Sequence, residues 1–154
     1  MKTELFARFS QRHRFADWPC ADVPAVAAGV YAIWEGQELI YCGMSGRQFE
    51  VVVSSNKQRY GLCTRLASHA SGRLSGDQFC VYVANRLVIP ALSHDQLHCF
   101  KSGDLNLDAL TKHYVRERLD YQFTVVTSSG EAFALERECR AGVVFGMRPT
   151  LNPL

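Results

Sequence analysis

Gly29-Val-Tyr-Ala-Ile-Trp-Glu35 and Leu39-Ile-Tyr-Cys-Gly43 decide the fold of this chain. Both runs are rich in β-branched and aromatic residues, and Glu35-Gly-Gln-Glu38 between them supplies a turn. The segment therefore reads as a β-hairpin. Downstream, residues 44 to 58 form a loop or short extension, after which Leu62, Leu66 and Ala70 recur at helical spacing beside a polar stripe of Arg65, His69 and Arg73. Ser71-Gly-Arg-Leu-Ser-Gly76 ends that helix. Phe79-Cys-Val-Tyr-Val-Ala84 alternates as a third strand. Leu105 to Leu119 reads as a helix with Leu107, Leu110, Tyr114 and Leu119 inward, and Phe123-Thr-Val-Val-Thr127 as a fourth strand. A last helix spans Glu131 to Ala141, and the two prolines of the tail, Pro149 and Pro153, keep it irregular.

Upstream of the hairpin, residues 1–28 carry Trp18, Pro19 and Pro24 and read as a short helix followed by an irregular lead-in. This order of elements predicts an α/β (α+β) fold: a small, mostly antiparallel sheet that starts with a β-hairpin and is flanked by helices. At 154 residues the chain is long enough for a single domain, given about 100 to 200 residues per domain. Its 47% apolar and 21% charged residues exclude disorder and fibrous repeats. The N-terminus turns charged before a signal-peptide run develops, and no stretch approaches the ~18 apolar residues of a membrane span, so a cytoplasmic location is expected. The six cysteines never form C-x-x-C and most lie in apolar runs, which points to buried reduced thiols rather than a disulfide framework or a zinc site.

A net charge of +2 does not mark a general polyanion binder. Cations cluster locally instead: Arg47, Lys57, Arg59, Arg65 and Arg73 face one acid, Glu50, between positions 47 and 73. Gly43-Met-Ser-Gly-Arg47 lacks the final glycine of a nucleophile elbow, and the acid-then-histidine order of that triad is missing downstream. The five histidines show no H-E-x-x-H or other metal-ligand spacing. What remains is a scattered set: Tyr31 and Tyr41 at matching places on the two hairpin strands, Arg65 and His69 at i, i+4, Glu136 on the last helix and Asn152 in the tail.

Taken together these residues resemble the GIY-YIG endonuclease family. Gly29-Val30-Tyr31 stands for the first tripeptide and Tyr41-Cys42-Gly43 for the second, at close to the family's usual spacing. Gly61-Leu-Cys-Thr-Arg65-Leu-Ala-Ser-His69 looks like its arginine-bearing helix, Ala134-Leu135-Glu136 like its acidic helix, and Arg148-Pro149-Thr-Leu-Asn152 like its terminal segment. The match covers positions 29 to 152. Cys42 departs from the usual aliphatic residue, the loop from 44 to 60 is longer, and residues 86–120 read as an insertion into the minimal fold. Glu136 is the expected acid because it follows the Ala-Leu pair. Glu138, two residues on, points elsewhere on a helix and is the reserve.

The resemblance implies a divalent-metal-dependent endonuclease that hydrolyses DNA with a water nucleophile and a tyrosine base. Glu136 would hold Mg²⁺ or Mn²⁺, since Mg²⁺ keeps most of its waters and needs few carboxylates. Arg65 would hold a phosphate oxygen. Tyr31 is the favoured base, provided Arg65, the metal or Tyr41 stabilises its phenolate, and Tyr41 would orient the water or phosphate. His69 is the competing base. Asn152 would tie the tail to the site, and Ser45 or Arg47 would contact the nucleic-acid backbone, with Lys57, Arg59 and Arg73 tracking flanking phosphates. DNA is the expected partner, RNA is left open, and so small a cation cluster leaves room for a homodimer. A catalytically silent module on the same fold, binding nucleic acid or protein, is the alternative.

Overall fold

The computed structural model describes residues 2–153. Helix α1 (Lys2–Ala7) leads to a short strand β1 (His13–Arg14), a 3₁₀ turn over Phe15–Asp17, and the hairpin of β2 (Val26–Glu35) and β3 (Glu38–Ser45). Then follow α2 (Phe49–Val52), the two-residue strand β4 (Tyr60–Gly61), α3 (Leu62–Ser71) and α4 (Gln78–Val83). The chain ends with α5 (His94–Ser102), α6 (Leu107–Arg118), β5 (Leu119–Val126), α7 (Ser129–Arg140) and an irregular tail. The sheet runs β1-β5-β2-β3 and is antiparallel, apart from β4, which pairs in parallel with the start of β2. No helix among the described residues is long and apolar enough to cross a membrane.

β2 is the centre of the molecule, buried on both faces because helices cover both. Its alternation divides the core. Ala27, Tyr31 and Ile33 pack with Leu62, Leu66, Phe79 and Val115 of α3, α4 and α6, while Ala28, Val30, Ala32 and Trp34 pack with Ala132, Leu135 and Cys139 of α7. Gly29 interrupts the first set for a steric reason. A Cβ there would collide with the Leu62 side chain and the Thr124 carbonyl, so the glycine lets α3 press onto the strand.

The hairpin and the helices after residues 60, 105 and 130 fall where the pattern places them, but the third strand does not exist. Residues 78–83 form α4, with Asp77 as its N-cap accepting from the Cys80 N–H at 3.1 Å. Phe79, Cys80 and Val83 make its buried face. A short apolar run of this kind is readable as strand or helix, and the capping aspartate decides for helix. The lead-in is also more regular than expected: β1 pairs with β5, and β2 begins at Val26. Within residues 86–120, α5 buries no residue. By contrast α6 is anchored through Arg116, which donates to the carbonyls of Ala70, Phe15 and Trp18.

Candidate active site

The hairpin register places Tyr31 opposite Gly43 and Tyr41 opposite Ile33, so both phenols stand on one face with ring centroids 6.4 Å apart. Gly43 makes room for this. A Cβ on it would run into the Tyr31 hydroxyl. Above them α3 supplies Arg65 and His69 one turn apart, and the loop leading into α4 supplies Asp77. From the opposite layer Glu136, next to the core residue Leu135 on α7, reaches the same place. These side chains line a cleft of about 450 Å³, together with Arg47, Arg140 and Asn152.

The floor of the cleft is a chain of hydrogen bonds. Tyr31 hydroxyl lies 2.9 Å from His69 Nε2, and His69 Nδ1 lies 2.7 Å from Asp77 Oδ2. Asp77 Oδ2 also accepts from Ser68 Oγ at 2.6 Å. All three members are buried, with Tyr31 and His69 each 2% exposed and Asp77 1%. Burial opposes charge on Asp77, yet hydrogen bonds from His69, Ser68 and the Cys80 N–H outweigh it and hold the carboxyl at about 2. Burial keeps His69 below its ordinary 6.5 despite Asp77. An ionised Asp77 beside a neutral imidazole fixes the proton on Nδ1, which leaves Nε2 to accept from the Tyr31 O–H.

Burial, then Tyr41, push the Tyr31 phenol well above its usual range, and Arg65 pulls it down only in part. Tyr41 is likewise raised to about 12, by burial first. The hydrogen-bond partner of the Tyr31 hydroxyl is His69. Asn152 ties down the tail: its Oδ1 accepts from the Cys42 N–H at 2.7 Å and its Nδ2 donates to the Cys42 carbonyl at 2.9 Å.

Tyr31, Tyr41, Arg65, His69, Glu136 and Asn152 thus share one cleft, as does Arg47. Ser45 lies in an adjoining cleft of about 340 Å³ that shares Arg47 and Arg65 and includes Tyr60, over whose ring Lys57 stands at 5.5 Å. Arg59 and Arg73 are exposed and line neither cleft. Glu138 is exposed on another side of α7, beside Ala134 and Arg137. No family model, curated protein or solved structure matches the chain.

Two members of the site are invisible to motif reading. Asp77 is masked by the apolar run that follows it, although an aspartate preceding such a run is itself a helix-start signal. Arg140 stands four residues after Glu136, a spacing that pairs charges on a helix, with Nη1 3.4 Å from Glu136 Oε1. Its Nη2 also donates to the Pro153 carbonyl at 2.6 Å.

Proposed function

We propose that this chain is a GIY-YIG-type endonuclease that hydrolyses phosphodiester bonds, with DNA as substrate. The observation that carries the reading is the Asp77–His69–Tyr31 relay opening into a cleft that also holds Arg65 and Glu136. A water placed against the Tyr31 oxygen gives its proton to that oxygen as the phenol passes its own proton to His69 Nε2. Asp77 stabilises the imidazolium that forms. The water oxygen bonds to phosphorus, the bond from phosphorus to the 3′-oxygen breaks, and that oxygen takes a proton from solvent. His69 later returns its proton the same way. Coupling the two groups removes the need for a free phenolate. Arg65 lies where a guanidinium can hold a non-bridging oxygen, and Arg47 extends the positive charge into the neighbouring cleft beside Ser45.

The donor set fits a hard divalent ion such as Mg²⁺ or Mn²⁺. Glu136 is a nearly buried carboxylate facing the cleft, whereas the Asn152 amide is already committed to Cys42. When bound, such an ion supplies positive charge at the scissile phosphate and the leaving oxygen. Glu136 would hold it and Arg140 would balance the carboxylate otherwise. That ion pair is also what favours the second reading, a silent nucleic-acid- or protein-binding module in which Arg140 keeps Glu136 occupied.

Incubating supercoiled plasmid with the purified chain and Mg²⁺ or Mn²⁺, beside Glu136→Ala and Arg65→Ala, separates the two. The nuclease reading expects nicking or linearisation by the wild type and loss in both variants. Binding without cleavage at every metal concentration supports the silent module, and cleavage that survives both substitutions overturns the assigned site.

A further inference from the structure

On the far side of the sheet order, where β1 meets β5, a second group of chemically active side chains gathers. His13 Nδ1 lies 3.5 Å from Cys20 Sγ, and an oxygen of Asp22 falls within 4.8 Å of both. The three belong to the lead-in, in the order His-x₆-Cys-x-Asp, a spacing no histidine motif announces. Beside them stands the hydroxyl of the fully buried Tyr121, which adjoins the Cys20 thiol. It faces Cys20 and the negative charge of Asp22 and Asp17. A thiol–imidazole hydrogen bond explains the first distance alone. It does not explain why the Asp22 carboxylate converges on the same two atoms.

We propose that His13, Cys20 and Asp22 form a site for a zinc-class cation, with Tyr121 hydrogen-bonded to the water that completes the shell. Zinc bonds of ~2.0–2.3 Å to nitrogen, sulfur and oxygen in a tetrahedron set donor atoms about 3.3–3.7 Å apart. The His13–Cys20 pair already has this separation, and Asp22, exposed, has room to close. Thiolate and imidazole select a borderline-soft ion over Mg²⁺. The nearest cations do not block it. Arg12 lies over the Trp34 ring at 3.9 Å and donates to the Gly36 carbonyl, and Arg14, on the same cavity rim as Asp17, is exposed to solvent. The site is independent of the cleft at Tyr31, and its occupation would clamp the lead-in onto β5.

The test uses the full chain, stripped with a chelator and titrated with Zn²⁺ by calorimetry and with Co²⁺ by absorption. One equivalent should bind, with a thiolate-to-cobalt charge-transfer band that excess Mg²⁺ leaves unchanged. Cys20→Ser should abolish the band, and Asp22→Asn, at an exposed position that leaves the fold intact, should weaken affinity about tenfold or more. Cys80→Ser, in the other cluster where His69, Asp77 and Cys80 converge, should leave the band in place. No uptake by the wild type, a band that survives Cys20→Ser, or unchanged affinity in Asp22→Asn each overturns the proposal.

Discussion

The Tyr31 hydroxyl lies 2.9 Å from His69 Nε2, the ring nitrogen that the Asp77 contact leaves without a proton. A tyrosine on the central strand and a histidine on α3 are therefore one hydrogen-bonded unit, where motif reading treats them as rivals. Their separation in sequence hides this, and the approach depends on Gly43 having no side chain.

If the unit works as a relay, Tyr31→Phe and His69→Ala should lower the single-turnover cleavage rate by similar factors, about 10²–10⁴. The double variant should fall little further, because groups acting together are non-additive. A His69→Ala rate close to wild type would leave Tyr31 as base on its own, the order expected from motif reading alone. Independent, multiplying losses would also sink the relay.

Asp77→Asn tests the orientation of the ring. The amide cannot stabilise an imidazolium and can turn His69 to the wrong tautomer, so the cleavage rate should fall at least about a hundredfold and its pH profile should shift. Asp77 also caps α4, but the asparagine amide oxygen caps a helix about as well, so the stability the variant loses comes from its changed contacts with His69 and Ser68. The pH profile distinguishes the two effects, since a purely structural loss leaves the profile where it was.

Glu136→Gln should abolish cleavage while DNA affinity, read by anisotropy in the presence of Mg²⁺, stays within about tenfold of wild type. Collapse of binding with the fold intact would reassign Glu136 from metal holding to substrate contact.

The buried relay also predicts the acid response of the fold. His69 has a folded value below its ordinary 6.5, so its stabilising contribution is complete above that pH and declines as the pH falls further. Asp77, held at about 2 against an ordinary 3.8, contributes above 3.8 and loses that contribution as the pH drops toward 2. Melting temperature should therefore decrease from pH 6.5 downward, with a flatter slope between 6.5 and 5 in His69→Gln. Melting temperatures that rise over that interval would contradict neutral burial of the ring.

Much of this was legible in the sequence because the hairpin signal is local. Alternation, a Gly-containing turn and two tyrosines at matching positions need no knowledge of distant contacts, and they place both phenols on one face. The helical stripe likewise puts Arg65 beside His69. The failures come from contacts between segments. Residues 79–84 satisfy both strand and helix patterns, and only the Asp77 cap with its His69 and Ser68 partners decides between them. Reading a strand there removes Asp77 from view and with it the relay. Arg59 and Arg73 look like members of one basic surface in the linear order, yet both lie outside α3, one before β4 and one past the Gly72 cap, and neither lines a cleft that holds Arg65.

The tail has a role besides positioning Asn152. Thr150 and Leu151 donate their N–H groups to the carbonyls of Leu39 and Ile40, and Asn152 takes both backbone groups of Cys42. β3 is the outermost strand on its side of the sheet, and a bare outermost strand invites another chain to add to it. Residues 150–152 seal that rim from within the same molecule. Strand-to-strand stacking into larger assemblies is thereby closed off along β3 from Leu39 to Cys42, and β1, at the opposite end of the sheet order, offers just two residues to an incoming chain.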